Sequence, residues 1–232
     1  MSPIWKYPEA LEKWTWRRQV MDDGMTKILS KLRVQGHADC AYFGTVTTLE
    51  PNLKVQCQRS VSLSIRHLKR LDQISRTRPS AGKIWRLLSL IQDIGILEEG
   101  QYTDILGGTL EETQATRYKI TKIYHYEMHK LDHIEHALYR LRDGGPLLAV
   151  INISANYNEC KDSGMIYRFD PARIVKDENG VPETHAVCVV SFAVEAKVPC
   201  FECQDSQGQH FGRNGFLMVD ITSVIELYSI KI

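Results

Sequence analysis

The sequence predicts an α+β fold in two lobes, a mainly helical one over residues 1–110 and a mainly β one over 111–232, together forming a single domain. Three observations carry that reading. Apolar residues recur at helical spacing through the first half. Beyond residue 115 the chain turns to short runs rich in Val, Ile, Phe and Tyr, the composition of strands. No internal repeat or low-complexity tract interrupts either half.

The elements follow in order. From Cys40 the string CAYFGTVTTLE sets Phe43, Val46 and Leu49 at near-helical spacing. SLSIRHLKRL offers Ser62 or Ser64 as the N-cap of a second helix. KIWRLLSLIQDIG puts Ile84, Leu87, Leu88 and Ile91 on one face and stops at Gly95. Strands are expected in YKITKIY, LLAVINI, HAVCVVSF, FECQD and FLMVDI. One helix, from about Asp132 to Arg142, interrupts them and ends at Gly144-Gly145, and VKDENGVPE is a loop.

Composition excludes several function classes. With 29 basic against 28 acidic side chains the chain carries no field for a polyanion, and Arg66, His67, Lys69 and Arg70 read as a solvated helix face, so no nucleic-acid partner is expected. PLLAVINI is too short to cross a bilayer, which gives no membrane segment. The opening MSPIWKYPEALEKWTW lacks the pattern of a signal peptide, so a cytoplasmic or nuclear location is expected, or a vacuolar, lysosomal or secreted one for a chain cut from a longer precursor. Six cysteines are too sparse for a disulfide framework and are read as free thiols. The lone pair Cys200 and Cys203 has no second pair to complete a zinc site. His125, His129, His133 and His136 lack the H-E-x-x-H order and read as a surface cluster. No metal or other cofactor is expected.

A nucleophilic cysteine needs a base, a group that orients the base and a donor for the developing oxyanion. RVQGHADCAYFGTVTTLE places Gln35 shortly before Cys40, which stands where a helix begins; a helix N-terminus stabilises a thiolate. THAVCVVSF supplies His185 at the start of a strand, and FECQDSQGQHFGRNGF supplies Asp205 at the end of the next.

On these residues the chain resembles the papain-like cysteine peptidases over nearly its whole length. Gln35-Gly36 is similar to the family's Gln-Gly before the nucleophile, and C-x-x-F-x-x-V-x-x-L-E from Cys40 to Glu50 follows its central helix. SVSLSIRHL, AGKIWRLLSLIQDIGI and GPLLAVINI resemble further segments in the family's order, His185-Ala186-Val187 matches its His-Ala-Val, and Asp205-Ser206 with Gly208, Gly212 and Gly215-Phe216 traces its last motif. The resemblance implies a papain-like two-lobed fold with a cleft between the lobes. It implies Cys40 as nucleophile, His185 as general base and acid, Gln35 as oxyanion donor and Asp205 at the third catalytic position. It further implies that Ala81 and Gly82 meet the substrate backbone, and that Ile84, Val150, Thr184 and Ala186 line a main side-chain pocket favouring an apolar residue. The implied partners are a peptide or protein substrate and a protein inhibitor or binding partner in the cleft.

The departures are specific. The Gln35-to-Cys40 interval is one residue shorter than the family's, Ala41 stands where Trp is usual, Gln207 and Phe211 replace two Trp residues, and Asp205 replaces Asn. The family's disulfide cysteines do not reappear at matching positions, and no inhibitory propeptide is expected before the domain. Asp205 is expected to form a partly wet pair with His185, and Asp39 beside the nucleophile is expected to disfavour the thiolate. Two functions follow: a thiol peptidase, or a non-catalytic descendant that keeps the groove to bind peptides or another protein.

Overall fold

A computed structural model describes residues 14–36, 38–75, 82–163 and 165–232. Its helices are α1 (Cys40–Cys57), α2 (Ile65–Ile74), α3 (Lys83–Asp93), α4 (Glu99–Leu106) and α5 (Leu131–Asp143). Its strands are β1 (Lys122–Tyr126), β2 (Leu147–Asn152), β3 (Ile166–Tyr167), β4 (Thr184–Glu195), β5 (Val198–Gln204), β6 (Phe216–Asp220) and β7 (Val224–Lys231). The strands form one sheet in the order β1-β7-β2-β4-β5-β6-β3, antiparallel throughout except for β3 beside β6.

Most expected elements lie where their signals stand. Ser64 is the N-cap of α2, its side chain accepting from the His67 N–H, which satisfies a donor that a helix start leaves unpaired. After α3, Gly95 takes a left-handed φ of +90°, and its N–H returns to the Leu90 carbonyl, ending the helix. Three of these elements lie outside the expectation, α4, β3 and β7, and another runs longer. Helix α1 continues past Pro51, which has no N–H to give the preceding turn. Asn52 helps the helix through, donating from its side chain to the Thr48 carbonyl at 2.8 Å and to the Pro146 carbonyl at 2.8 Å.

Alternation along the strands divides the interior into two cores. Leu147, Ala149 and Ile151 of β2 face a core shared with β4 to β7, α5 and the N-terminal residues Trp16 and Ile28. Leu148 and Val150 face the other way, with Ala186, Tyr228 and Ile230, onto α1, α2 and α3. Helix α1 is therefore buried on almost every side, and its polar residues need partners. The Glu50 carboxylate receives both terminal nitrogens of Arg33 at 2.9 and 2.7 Å and the Leu63 N–H at 2.8 Å. Removing Arg33 would leave that charge buried and uncompensated, a loss of about 3–5 kcal/mol.

The segment before α1 straps across the strand lobe. Trp16 donates from its indole to the Leu141 carbonyl at 2.6 Å, the Lys54 ammonium holds the carbonyls of Lys27 and Leu29, and Val34 bridges to Gln207. The strap delivers Gln35 to the loop after β5. The β4–β5 hairpin, turned at Ala196 and Lys197 with φ of 49° and 67°, sets a register that ends with Cys188 opposite Gln204. Asp205, the next residue, thus emerges beside the beginning of β4, where His185 lies.

Candidate active site

Cys40 is the first residue of α1, and its approach is tight. Ala38 adopts a left-handed φ of +58°, which lets the shortened stretch from Gln35 turn into the helix. The half-buried thiol sits against the start of β4, beside His185 and Ala186, with Sγ 3.9 Å from the Thr184 carbonyl.

His185 and Asp205 are 5% and 2% exposed. The His185 Nε2 lies 3.1 Å from Asp205 Oδ1, which also accepts the Gln207 N–H at 2.9 Å. The other oxygen, Oδ2, accepts a short hydrogen bond from the Tyr157 hydroxyl. The Tyr157 ring stands edge-on to the imidazole, centroids 5.5 Å apart, and Phe211 closes over Tyr157 at 5.1 Å. The pair is therefore dry, contrary to the partly wet pair expected from the loss of the two Trp residues: Tyr157 and Phe211 exclude the water that Gln207 does not.

The electrostatics favour a thiolate and an imidazolium. Burial works against a charge on Cys40, but the hydrogen bond and charge of His185, the Ala186 N–H and the charge of Lys83 together hold its pKa below the usual thiol value. Burial likewise opposes a charge on His185, and Asp205 overcomes it, raising the imidazole to about 10. Asp205 in turn is held below the usual carboxylate range, because the charge and hydrogen bond of His185, the Tyr157 hydroxyl and the Gln207 N–H outweigh its burial. Asp39 does not oppose the thiolate as expected, since its Oδ2 is paired with the Lys69 ammonium at 2.7 Å.

Gln35 is fixed to the Asp205 loop. Its backbone N–H donates to the Ser206 carbonyl at 2.8 Å, and its side-chain Oε1 accepts from Ser206 Oγ. With the amide oxygen engaged, the amide NH2 is the group left to donate.

The residues expected to line the cleft lie on both sides of the junction between the lobes. Gly82 is exposed at the N-cap of α3, and Thr184 is exposed at the start of β4. Ile84, Val150 and Ala186 are buried between sheet and helices, in the core that the two share. Ala81 lies outside the described residues. The reading of the sequence missed Tyr157, Lys83 and Lys69. Tyr157 carries no motif, standing in a turn 48 residues before its partner, and only the fold shows that it meets Asp205.

Other candidate clusters hold different roles. His125 stacks on Tyr228, the His133 Nδ1 accepts the Glu127 N–H, and His136 lies edge-on to Tyr124 and Tyr126. Cys200 and Cys203 are three apart on β5, so alternation turns them to opposite faces; all six cysteines are free thiols. A surface cavity of about 160 Å³ between Arg17, Glu202 and Phe216 holds no residue of the Cys40 site. No described helix is long and apolar enough to cross a membrane.

A half-buried thiol, a buried imidazole and a buried carboxylate thus stand in series where the helices meet the sheet. Residues 12–227 match the papain family cysteine protease, and the chain belongs to that family. The viral cathepsin of Cydia pomonella granulosis virus (isolate Mexico/1963) is 23% identical over 214 residues, and the chain spans 57% of that protein's length and 91% of its own. Solved structures share the fold. One from a study of the mite allergens Blo t 1 and Der p 1 has a TM-score of 0.70 at 17% identity, covering 99% of this chain and 74% of that one. Digestive procathepsin L 3 from Tenebrio molitor larval midgut gives 0.67 at 19%, covering 98% and 71%. A Carica candamarcensis cysteine protease in complex with E-64 gives 0.65 at 17%, covering 94% and 97%.

Proposed function

We propose that the chain is a cysteine-type peptidase with Cys40 as nucleophile and His185 as general base and acid. The observation that carries this reading is the series Cys40, His185, Asp205, in which the buried His185–Asp205 pair stands beside a thiol whose pKa is lowered, an arrangement that favours the reactive ion pair. The Cys40 thiolate attacks a peptide carbonyl, forming an S–C bond, and the oxygen that gains charge is met by the Gln35 amide. Collapse breaks the C–N bond as His185 gives its proton to the leaving amine. Water then attacks the acyl-enzyme, His185 takes its proton, and breaking the S–C bond returns the Cys40 thiolate and His185 imidazolium. Asp205 positions the ring and sustains its charge throughout. The partners on this reading are a peptide or protein substrate and an inhibitor or protein ligand in the same cleft.

Reaction with a peptidyl epoxide of the E-64 type tests the proposal. Stoichiometric labelling at Cys40 within minutes, with turnover of a fluorogenic peptide library that Cys40→Ala abolishes, is expected. Absence of both would leave a groove that binds peptides or another protein without cleaving them.

A further inference from the structure

The reaction so far leaves one buried titratable group idle, the phenol of Tyr157, whose residue is 5% exposed. Strand β2 ends at Asn152, and the chain turns at Ala155–Tyr157, where the Tyr157 N–H donates to the Ser154 carbonyl at 2.9 Å. Tyr167 clamps that turn: its hydroxyl donates to the Asn152 carbonyl at 2.8 Å and accepts the Ser154 N–H at 3.0 Å. The Tyr157 ring then has Tyr167, Phe211 and His185 as aromatic neighbours, with centroids 5.2, 5.1 and 5.5 Å away. Held among those rings, the hydroxyl has a set direction, onto Asp205 Oδ2.

Asp205 is met by donors at both oxygens. Oδ1 takes the His185 Nε2 and the Gln207 N–H, and Oδ2 takes the Tyr157 hydroxyl, so turning the carboxylate over would break bonds at each end. The titratable groups that face the His185–Asp205 pair are Tyr157 from the turn after β2, Cys40 from the start of α1 and Cys203 from β5. Burial, with Asp205 beside it, keeps the Tyr157 phenol protonated, and burial keeps Cys203 a neutral thiol. Tyr157 is thus the side chain that acts on Asp205 through the oxygen His185 does not use.

A carboxylate in a dry site grips an imidazolium strongly. His185 has two tasks that pull apart: it holds a proton that sustains the Cys40 thiolate, and it releases that proton from Nδ1 to the leaving amine as the C–N bond breaks. A ring held too cationic serves the first task and fails the second. A hydroxyl donating to Oδ2 draws charge from the carboxylate and eases its hold on the ring. Resting on the peptidase reading of this site, we propose that Tyr157 is a positioning residue: its hydroxyl pins Oδ2, keeps Oδ1 turned to His185, and moderates the charge of Asp205 so that His185 can surrender its proton. An asparagine would carry no charge to moderate; the hydroxyl matters because residue 205 is an aspartate.

The test reads His185 directly, by NMR titration of carbon-13-labelled histidine in the full chain, and turnover separately. Tyr157→Phe keeps the ring and removes the donor, and the His185 pKa, about 10 in the unaltered chain, is expected to rise by about half a unit or more. A hydroxyl that only filled space would on removal let water loosen the pair, which lowers the titration instead. Peptide-amide turnover is expected to fall about tenfold through kcat with KM unchanged, whereas an aryl ester of the same acyl group, whose leaving group departs without a proton, loses less than about threefold. In an Asp205→Asn background, Tyr157→Phe should move the His185 titration no further. 3-Fluorotyrosine in place of Tyr157, a stronger donor of nearly the same shape, should lower it, which decides the matter even where the Phe variant folds poorly. A titration that stays or falls with Tyr157→Phe, a rise that persists without the Asp205 charge, or equal losses on amide and ester overturns the proposal. A titration that shifts as expected in a chain that turns over neither substrate would remove the peptidase reading and leave the hold of Tyr157 on the pair standing.

Discussion

Gly44, one turn into the helix that Cys40 begins, lies directly against Ala186: a Cβ built on Gly44 would come within 3.0 Å of both the Ala186 Cβ and its carbonyl oxygen. Helix and strand meet there at the distance that only a hydrogen side chain permits. Because Cys40 and His185 flank this contact, it sets the gap between thiol and imidazole.

Gly44→Ala is therefore expected to lift α1 from β4 by a few tenths of an ångström. Overpacking of this kind costs about 1–3 kcal/mol. In a chain of this size, each kcal/mol lowers Tm by about 2–4 °C. The larger effect is expected on chemistry, with the rate of Cys40 alkylation at neutral pH falling about tenfold as the thiol loses the imidazolium that keeps it ionised. An unchanged alkylation rate would falsify the role given to this contact.

Asp205→Asn tests the charge that raises His185. The imidazole stands near 10 against an ordinary value of 6.5, and Asp205 is the main group raising it. Removing that charge lowers the His185 pKa, so the alkaline limb of turnover, or of Cys40 alkylation by a neutral reagent, moves to lower pH by about one unit or more. Turnover persists, since an amide oxygen still orients the ring. In stability terms, a raised imidazole contributes fully below pH 6.5 and loses that contribution as pH climbs toward about 10. Asp205→Asn should accordingly flatten the decline of Tm between those limits. A limb that stays in place, or moves upward, would separate Asp205 from His185.

Tyr157 and Asp205 are expected to be energetically coupled. Tyr157→Phe leaves one oxygen of a buried carboxylate without a donor, at about 1–3 kcal/mol. In an Asp205→Asn background the same change should cost less, because no buried charge is left short of a partner. Urea unfolding of the four proteins gives the interaction energy, expected between about 0.5 and 3 kcal/mol. A value of zero would mean the hydroxyl merely fills space.

His67 gives the helical lobe an acid limit. The ring is buried, its Nδ1 accepts the Leu97 N–H at 3.2 Å, and burial, with a smaller effect from Arg117, pushes its pKa down to about 4 from 6.5. The unfolded chain thus takes up a proton that the folded chain refuses, so stability falls as pH drops from 6.5 toward 4, by an amount on the order of 3 kcal/mol. His67→Gln, which keeps an acceptor for Leu97, should be less stable at pH 7.5 yet lose less on acidification. Parallel Tm-against-pH curves for the two proteins would refute this.

The order of elements was legible because their signals are local: Ser64 before an amphipathic turn, Gly95 after one, Gly144-Gly145 closing another. Pro51 misleads, since a proline normally ends a helix and the side-chain bonds of Asn52 that carry α1 onward are visible only in three dimensions. Strand β7 escaped notice because Glu226 and Ser229 break its apolar run. At the site, Cys40, His185, Asp205 and Gln35 could be picked out by motif, as each sits in a short distinctive string. Tyr157, which meets Asp205, and Lys69, which pairs with Asp39, stand in a turn and on a helix face with no string of their own. What they do depends on register and burial, which a linear reading does not contain.

The two hydrogen bonds between Gln35 and Ser206 have a mechanical consequence. Gln35 and Asp205 are moored to the same loop of the β lobe, whereas Cys40 rides on a helix of the other lobe. A small hinge opening would withdraw the oxyanion donor and the base together while leaving the nucleophile behind. Closure of the two lobes is thus itself a condition for the reaction, and a ligand that wedges them apart would silence the site without touching the thiol.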